Sequence, residues 1–208
     1  IPDAFNKMAE GITAIKALKP DFKITCRTVI HRLNYTVWPQ IIQSAKNLGL
    51  DQISFLPADV SSHAFNRQQA WDEPRQHEIL LSEKDVDALK IIIGNLLIAF
   101  KNEFENRFIA ENPDKIRNIY FYYAAYYNRN PFPYKKCNAP WVSTVIEADG
   151  TVRPCFFHEP YGNLKTQSLN NIVNSETAID FRKNLDVAKN ETCVKCVCYL
   201  NLKPGVVL

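Results

Sequence analysis

Apolar residues in the first part of the chain recur at helical and strand-like spacings in turn. Phe5, Met8, Ile12, Ile15 and Leu18 step by three and four, so they share one face of a helix that Pro20 ends. Lys23–Ile30 is rich in β-branched residues and reads as a strand. Asn34–Thr36 offer caps for a second helix, with a stripe of Trp38, Ile41, Ile42, Ala45 and Leu48 and a C-cap at Gly49. The run QISFLPAD is continuously apolar, the pattern of a parallel strand buried on both faces. Helix, strand, helix, strand with short links is α/β winding.

Val60–His77 is polar and aperiodic, and reads as a loop. With Trp71, His63 and His77 it suits a lid over a substrate, though a solvated surface loop fits the same residues. Ser82 with Asp85 is a helix-capping signature. Behind it, Val86, Leu89, Ile93, Leu97, Phe100, Phe104 and Phe108 predict one long helical face reaching Asn112-Pro113. A further helix carries five of the nine tyrosines, Tyr120–Tyr127, at a spacing that suits core packing better than radical relay. Pro131 and Pro133 mark a linker, which divides the chain into 1–130 and 131–208. Past it, two strand-like runs flank Asp149-Gly150, a hairpin signal. Gly162-Asn163 is a turn, and a helix is predicted over Ser168–Leu185.

Composition narrows the function classes. The chain has 208 residues, 46% apolar and 23% charged, which provides a real core for one generous domain or two small ones. Its net charge of +3 comes from interspersed signs, so neither a nucleic-acid tail nor a basic membrane patch is expected. No apolar run approaches the ~18 residues of a membrane span. The chain begins at Ile1 with an amphipathic helix and shows no signal-peptide pattern. A cytoplasmic protein is expected, and one that begins within something longer.

The six cysteines are unevenly spread. Cys26 stands alone in a strand-like run, whereas Cys137, Cys155, Cys193, Cys196 and Cys198 are bunched near the end. A hairpin between Cys137 and Cys155 folds the chain back, so both sulfurs reach one locus, and Cys193 and Cys196 form a C-x2-C. Without a secretion signal this reads as metal ligation, with disulfides the weaker alternative. Four thiolates suit zinc or a [4Fe–4S] cluster, and spacing alone leans to zinc. Cys198 is spare, or takes the place of Cys196 as fourth ligand.

The C-x12-G-x4-C stretch, Cys137–Gly150–Cys155, resembles the opening motif of SPASM and Twitch domains, C-terminal extensions of radical S-adenosylmethionine enzymes that bind auxiliary [4Fe–4S] clusters. Val152-Arg153-Pro154-Cys155, Gly162-Asn163, Ser168-Leu169, Asn174-Ser175 and the closing CVKC are similar too. Five cysteines here, against seven in a full SPASM pattern, resemble the shorter one-cluster form. The resemblance implies metal ligands at Cys137, Cys155, Cys193 and Cys196. Four cysteine ligands leave no open iron, which favours electron transfer over substrate ligation. Trp141, Phe156 and Phe157 would supply a dry shell around the ligands, or simply pack the small domain.

The first 130 residues resemble the later βα units of a radical SAM barrel. The implied fold is α/β: the C-terminal part of a partial TIM-type barrel, followed by a small α+β cysteine-rich domain with a β-hairpin. Strand ends in such barrels face S-adenosylmethionine and substrate, which places Thr28, His31, Asn34, Pro57 and Asp59 at the site. Helix capping by His31 and Asn34, and a solvated Asp59, are the alternatives. The C-x3-C-x2-C motif that holds the SAM-cleaving cluster is absent from this sequence. The chain alone is therefore expected not to cleave S-adenosylmethionine, and a truncated barrel edge is expected to self-associate. The resemblance implies a small-molecule or peptide substrate and an electron donor such as a flavodoxin or ferredoxin. Two rival readings are a zinc-stapled binding module and a small iron–sulfur electron carrier.

Overall fold

The computed structural model describes residues 2–64, 67 and 69–203. The chain divides into two compact units, residues 1–58 with 77–131 and residues 59–76 with 132–208. The polar stretch Val60–His77 thus falls almost wholly in the second unit. Its last part is helical, in α3 (Glu73–Ile79), and its residues 65, 66 and 68 lie outside the described ones.

The first unit runs α1 (Ala4–Leu18), β1 (Thr25–Ile30), α2 (Trp38–Asn47), β2 (Gln52–Pro57), then α4 (Glu83–Ala99), α5 (Lys101–Glu105) and α6 (Pro113–Ala125). β1 and β2 pair in parallel, from Thr25 opposite Gln52 to Ile30 opposite Pro57. Trp38 is fully buried on α2, its ring 5.1 Å from Phe55 of β2. α4 packs on α6, and α6 against β2. Among the described residues β1 pairs only with β2, so its other edge is open. Of the predicted α1 stripe only Ile12 is buried; Phe5, Met8, Ile15 and Leu18 are exposed.

The long helix expected as far as Asn112 is broken. α4 stops at Ala99, α5 ends at Glu105, and Arg107 turns the chain at φ 61°. The Asn106 side chain then accepts from the Phe108 amide at 3.0 Å. Phe108–Ala110 runs extended beside β2: the Ile53 amide donates to Phe108 O (2.8 Å) and the Ala110 amide to Ile53 O (2.9 Å). Hydrophobic period alone could not separate a helix turn from a buried extended segment here.

The capping signature is real. The Ser82 side chain accepts from the Asp85 amide, and the Asp85 carboxylate accepts from the Ser82 amide (3.0 Å), the Ser82 hydroxyl (2.6 Å) and the Tyr35 hydroxyl (2.8 Å). Burial pulls the Asp85 carboxyl up, but these bonds and the Arg32 charge outweigh it and hold its pKa below the usual value. Asp85→Ala removes the cap and leaves the buried Tyr35 hydroxyl without its acceptor, an expected loss of about 1–3 kcal/mol in urea denaturation. Because the folded pKa is the lower one, the wild-type contribution is present above the unfolded value of 3.8. It is lost as pH falls through that value toward the folded one, so the gap between variant and wild type narrows in acid.

The second unit contains α7 (Ala139–Val142), β3 (Val145–Ile146), β4 (Thr151–Arg153), β5 (Gly162–Asn163), α8 (Leu169–Val173), α9 (Glu176–Asn184) and α10 (Glu191–Lys195). The strands form an antiparallel sheet in the order β3-β4-β5. Val152, Phe157, Ile172 and Ala178 are buried in its core. The hairpin closes through Ala148–Gly150, with the Glu147 amide on Thr151 O and the Gly150 amide on Glu147 O, both 2.9 Å. Gly150 sits at φ 89°, and a Cβ there would lie 2.9 Å from Asn163 Oδ1, so any other residue is strained. The single helix expected over Ser168–Leu185 is two helices. Ser168 caps α8 through the Asn171 amide and Ser175 caps α9 through the Ala178 amide, which restarts the helix after Asn174.

Candidate metal centre

Three pieces of the second unit bring the cysteines together. The hairpin turns the chain between Cys137 and Cys155, as the spacing suggested. The C-terminal stretch runs back beside Cys137: the Asn138 amide donates to Leu200 O (2.8 Å), its side chain donates to Leu202 O (2.6 Å), and the Leu202 amide donates to Asn138 Oδ1 (3.0 Å). Asn190 caps α10 by accepting from the Cys193 amide (3.1 Å), which sets Cys193 in the first turn, and the Cys196 amide closes the C-x2-C on Cys193 O (3.2 Å). All six cysteines are free thiols.

Cys137, Cys155, Cys193, Cys196 and Cys198 line one cavity. Ala139, Pro140, Phe157, Leu185 and Val187 make its apolar wall; Trp141 and Phe156, expected as part of a dry shell, are exposed. Among the described residues no three His, Cys, Asp or Glu side chains converge on one ion position. The thiols are distributed around the cavity. Cys26 lies on β1 in the first unit.

Hydrogen-bond donors point at several sulfurs. The Phe157 amide donates to Cys155 Sγ (3.5 Å) and the Cys198 amide to Cys196 Sγ (3.3 Å). His158 Nε2 lies 3.3 Å from Cys193 Sγ, with its ring edge-on to Phe181 and its carbonyl accepting from Arg153 Nη1 (3.1 Å). Burial pushes the Cys193 thiol up to about 12, with Cys155 and Cys137 adding to the shift and Lys135 opposing it. Burial also pushes Cys196 up to about 12, against the Cys198 amide and Lys135. Without metal, Cys193 and Cys196 therefore hold their protons at neutral pH, and metal binding must release them. Lys135, itself buried, donates to Val194 O at 2.5 Å; burial lowers its pKa, and the charges of Cys196 and Cys193 oppose that shift.

A second, polar basin in the same unit shares Phe157, His158 and Thr192 with the cysteine cavity. It is larger, and its polar lining includes Ser61, Ser62, His63, Arg67, Arg153 and Glu159. Arg67 is tied to Asp59 by an ion pair and stacks 4.7 Å from the Trp71 ring. Arg153 pairs with Glu147 at 3.0 Å and reaches His63 Nε2 at 3.4 Å.

The residues expected at the strand ends have structural partners. Asn34 accepts from the His31 amide and donates to Val29 O, both at 2.9 Å, and His31 Nδ1 accepts from the Leu33 amide (3.2 Å). Thr28 is half-buried opposite Phe55, and Pro57 is buried. Asp59 belongs to the second unit, where Ser61, Ser62 and Arg67 hold its carboxylate. Sequence reasoning missed Lys135 and His158. Their only signal was proximity, two residues before Cys137 and three after Cys155.

The second unit is thus a small α+β domain built around a half-buried thiol cavity, the class of domain that holds soft metals or iron–sulfur centres. Residues 137–197 match the SPASM family, an iron-sulfur cluster-binding domain, and the chain carries a SPASM-type domain over that range. Cys198 lies one position beyond the match. No curated protein and no solved structure gives a match. Among the described residues no helix is long and apolar enough to cross a membrane.

Proposed function

We propose that the chain is the C-terminal portion of a radical SAM enzyme that modifies a peptide or small molecule. Its second unit holds one auxiliary [4Fe–4S] cluster through Cys137, Cys155, Cys193 and Cys196. The observation that carries this reading is the convergence of five cysteines on one cavity, four of them within the SPASM-type stretch. A four-iron cluster is ligated at its corners, which calls for thiols spread around a space, and this donor set fits.

Bound there, the cluster supplies one-electron transfer. Phe157 and the apolar wall limit water at the sulfurs, the Phe157 and Cys198 amides donate to them, and the His158 ring lies beside Cys193; burial and such hydrogen bonds set the potential. The α/β winding of the first unit supports a partial barrel, with Thr28, His31 and Asn34 at the carboxyl end of β1, where α/β folds bind ligands. Asp59 is assigned to the same site by resemblance alone.

The test is metal and sulfide content of protein purified without oxygen. About four iron and four sulfide per chain, with a brown colour, are expected. One zinc and no iron would replace this reading with the zinc-stapled module.

A further inference from the structure

We infer that Lys135 is the counter-charge of the cluster: its buried ammonium offsets the negative charge of the thiolate-held iron and keeps the reduction potential from falling. The inference rests on the iron–sulfur reading above.

Lysine is almost never fully buried unless paired. Lys135 is 8% exposed, and its side chain lines the cysteine cavity. Its Nζ donates to Val194 O at 2.5 Å, inside the C-x2-C loop, which fixes the ammonium against the ligand-bearing turn. Among the described residues no carboxylate stands within ion-pair distance of it. Cys193 and Cys196, on either side of Val194, line the same cavity as Lys135.

A buried ammonium facing neutral thiols has no counter-ion, and such a group is strongly destabilising. Thiolates remove that penalty. Four thiolates around a 2+ core leave a net charge of about −2, and one-electron reduction makes it about −3. A fixed cation in a low-dielectric wall stabilises the more negative state more, so it favours reduction. Lys136, the next residue, is exposed, and water and salt screen its charge.

The experiment is potentiometric titration of the loaded protein, without oxygen, in wild type and four variants. Lys135→Met and Lys135→Gln are expected to lower the equilibrium constant for reduction about tenfold, ~59 mV more negative for one electron. Glutamine keeps a donor for Val194 O, so it separates charge from the hydrogen bond. Lys135→Arg and Lys136→Met are expected to stay near wild type. If neither neutral variant retains iron while Lys135→Arg does, the counter-charge is supported by retention instead. Neutral variants that load fully and titrate at the wild-type potential overturn the inference, as does an equal loss of iron in Lys135→Arg. Wild-type protein without iron overturns the iron–sulfur reading itself.

Discussion

Cys155→Ala is expected to abolish stable cluster binding, with iron after anaerobic reconstitution and desalting falling from about four per chain to below about one. Cys155 follows directly on β4 and Pro154, and its sulfur accepts from the Phe157 amide in the wall of the cavity. Alanine leaves the fold of the hairpin intact, since Val152 and Gly150 set it. Loss of iron with an unchanged far-ultraviolet circular dichroism spectrum therefore reports ligation and not unfolding. Cys137→Ala and Cys193→Ala are expected to behave alike. Cys26→Ala, on β1 of the other unit, is expected to keep full iron. Comparing Cys196→Ala with Cys198→Ala assigns the fourth ligand: both thiols line the cavity, and the Cys198 amide donating to Cys196 Sγ favours Cys196. Full iron in Cys155→Ala would remove the proposed ligand set.

Tyr123→Phe is expected to destabilise the first unit by about 2–4 kcal/mol, the largest stability effect of any single-atom deletion proposed here. The Tyr123 hydroxyl is buried on α6, donates to Ile30 O at the end of β1 and accepts from the Ala58 amide just past β2 (2.9 Å). One phenol thus pins both strand ends where the parallel ladder has run out. Phenylalanine keeps the ring and strands a buried carbonyl and a buried amide together. Tyr122→Phe provides the comparison: its hydroxyl donates to Ala58 O at 3.1 Å, and about 1 kcal/mol is expected. Native-state hydrogen exchange of the β2 amides reads both differences. Equal protection in Tyr123→Phe and wild type would show that the pin is dispensable.

The tyrosine cluster was legible in the sequence as core packing, and its hydrogen bonds to strand ends were not, because those partners lie 65 and 93 residues away. Local signals carried well. The period of α2, the continuous apolar run of β2, the Ser82–Asp85 cap and the Asp149-Gly150 hairpin all depend on neighbours within a few residues. The misread elements are those where a local stop had no strong residue signal. Arg107 takes a left-handed conformation that glycine or asparagine would have announced, so the apolar period runs through α5 as one longer helix. The second cap at Ser175 sits inside a stretch whose pattern predicts one continuous helix. The cysteine cavity was visible because hairpin geometry and C-x2-C spacing are local as well. Lys135 and His158 were not, since nothing in the residue type separates a buried lysine from a solvated one; Lys136 beside it is exposed.

The division of the chain has a consequence for biosynthesis. Residues 59–76 belong to the second unit but precede nearly half of the first, and the contact between His63 and Arg153 spans 90 positions. As the polypeptide leaves the ribosome, the first unit can close once residue 131 has emerged, with 59–76 looped out of it. The second unit must wait until its remaining residues arrive, and must then close a long loop before any of its non-local contacts form. Neither unit is a single stretch of chain, so neither can be excised by one cut. A nascent chain halted near residue 131 would hold a finished first unit and an orphaned strap, with no cysteine of the metal centre yet synthesised.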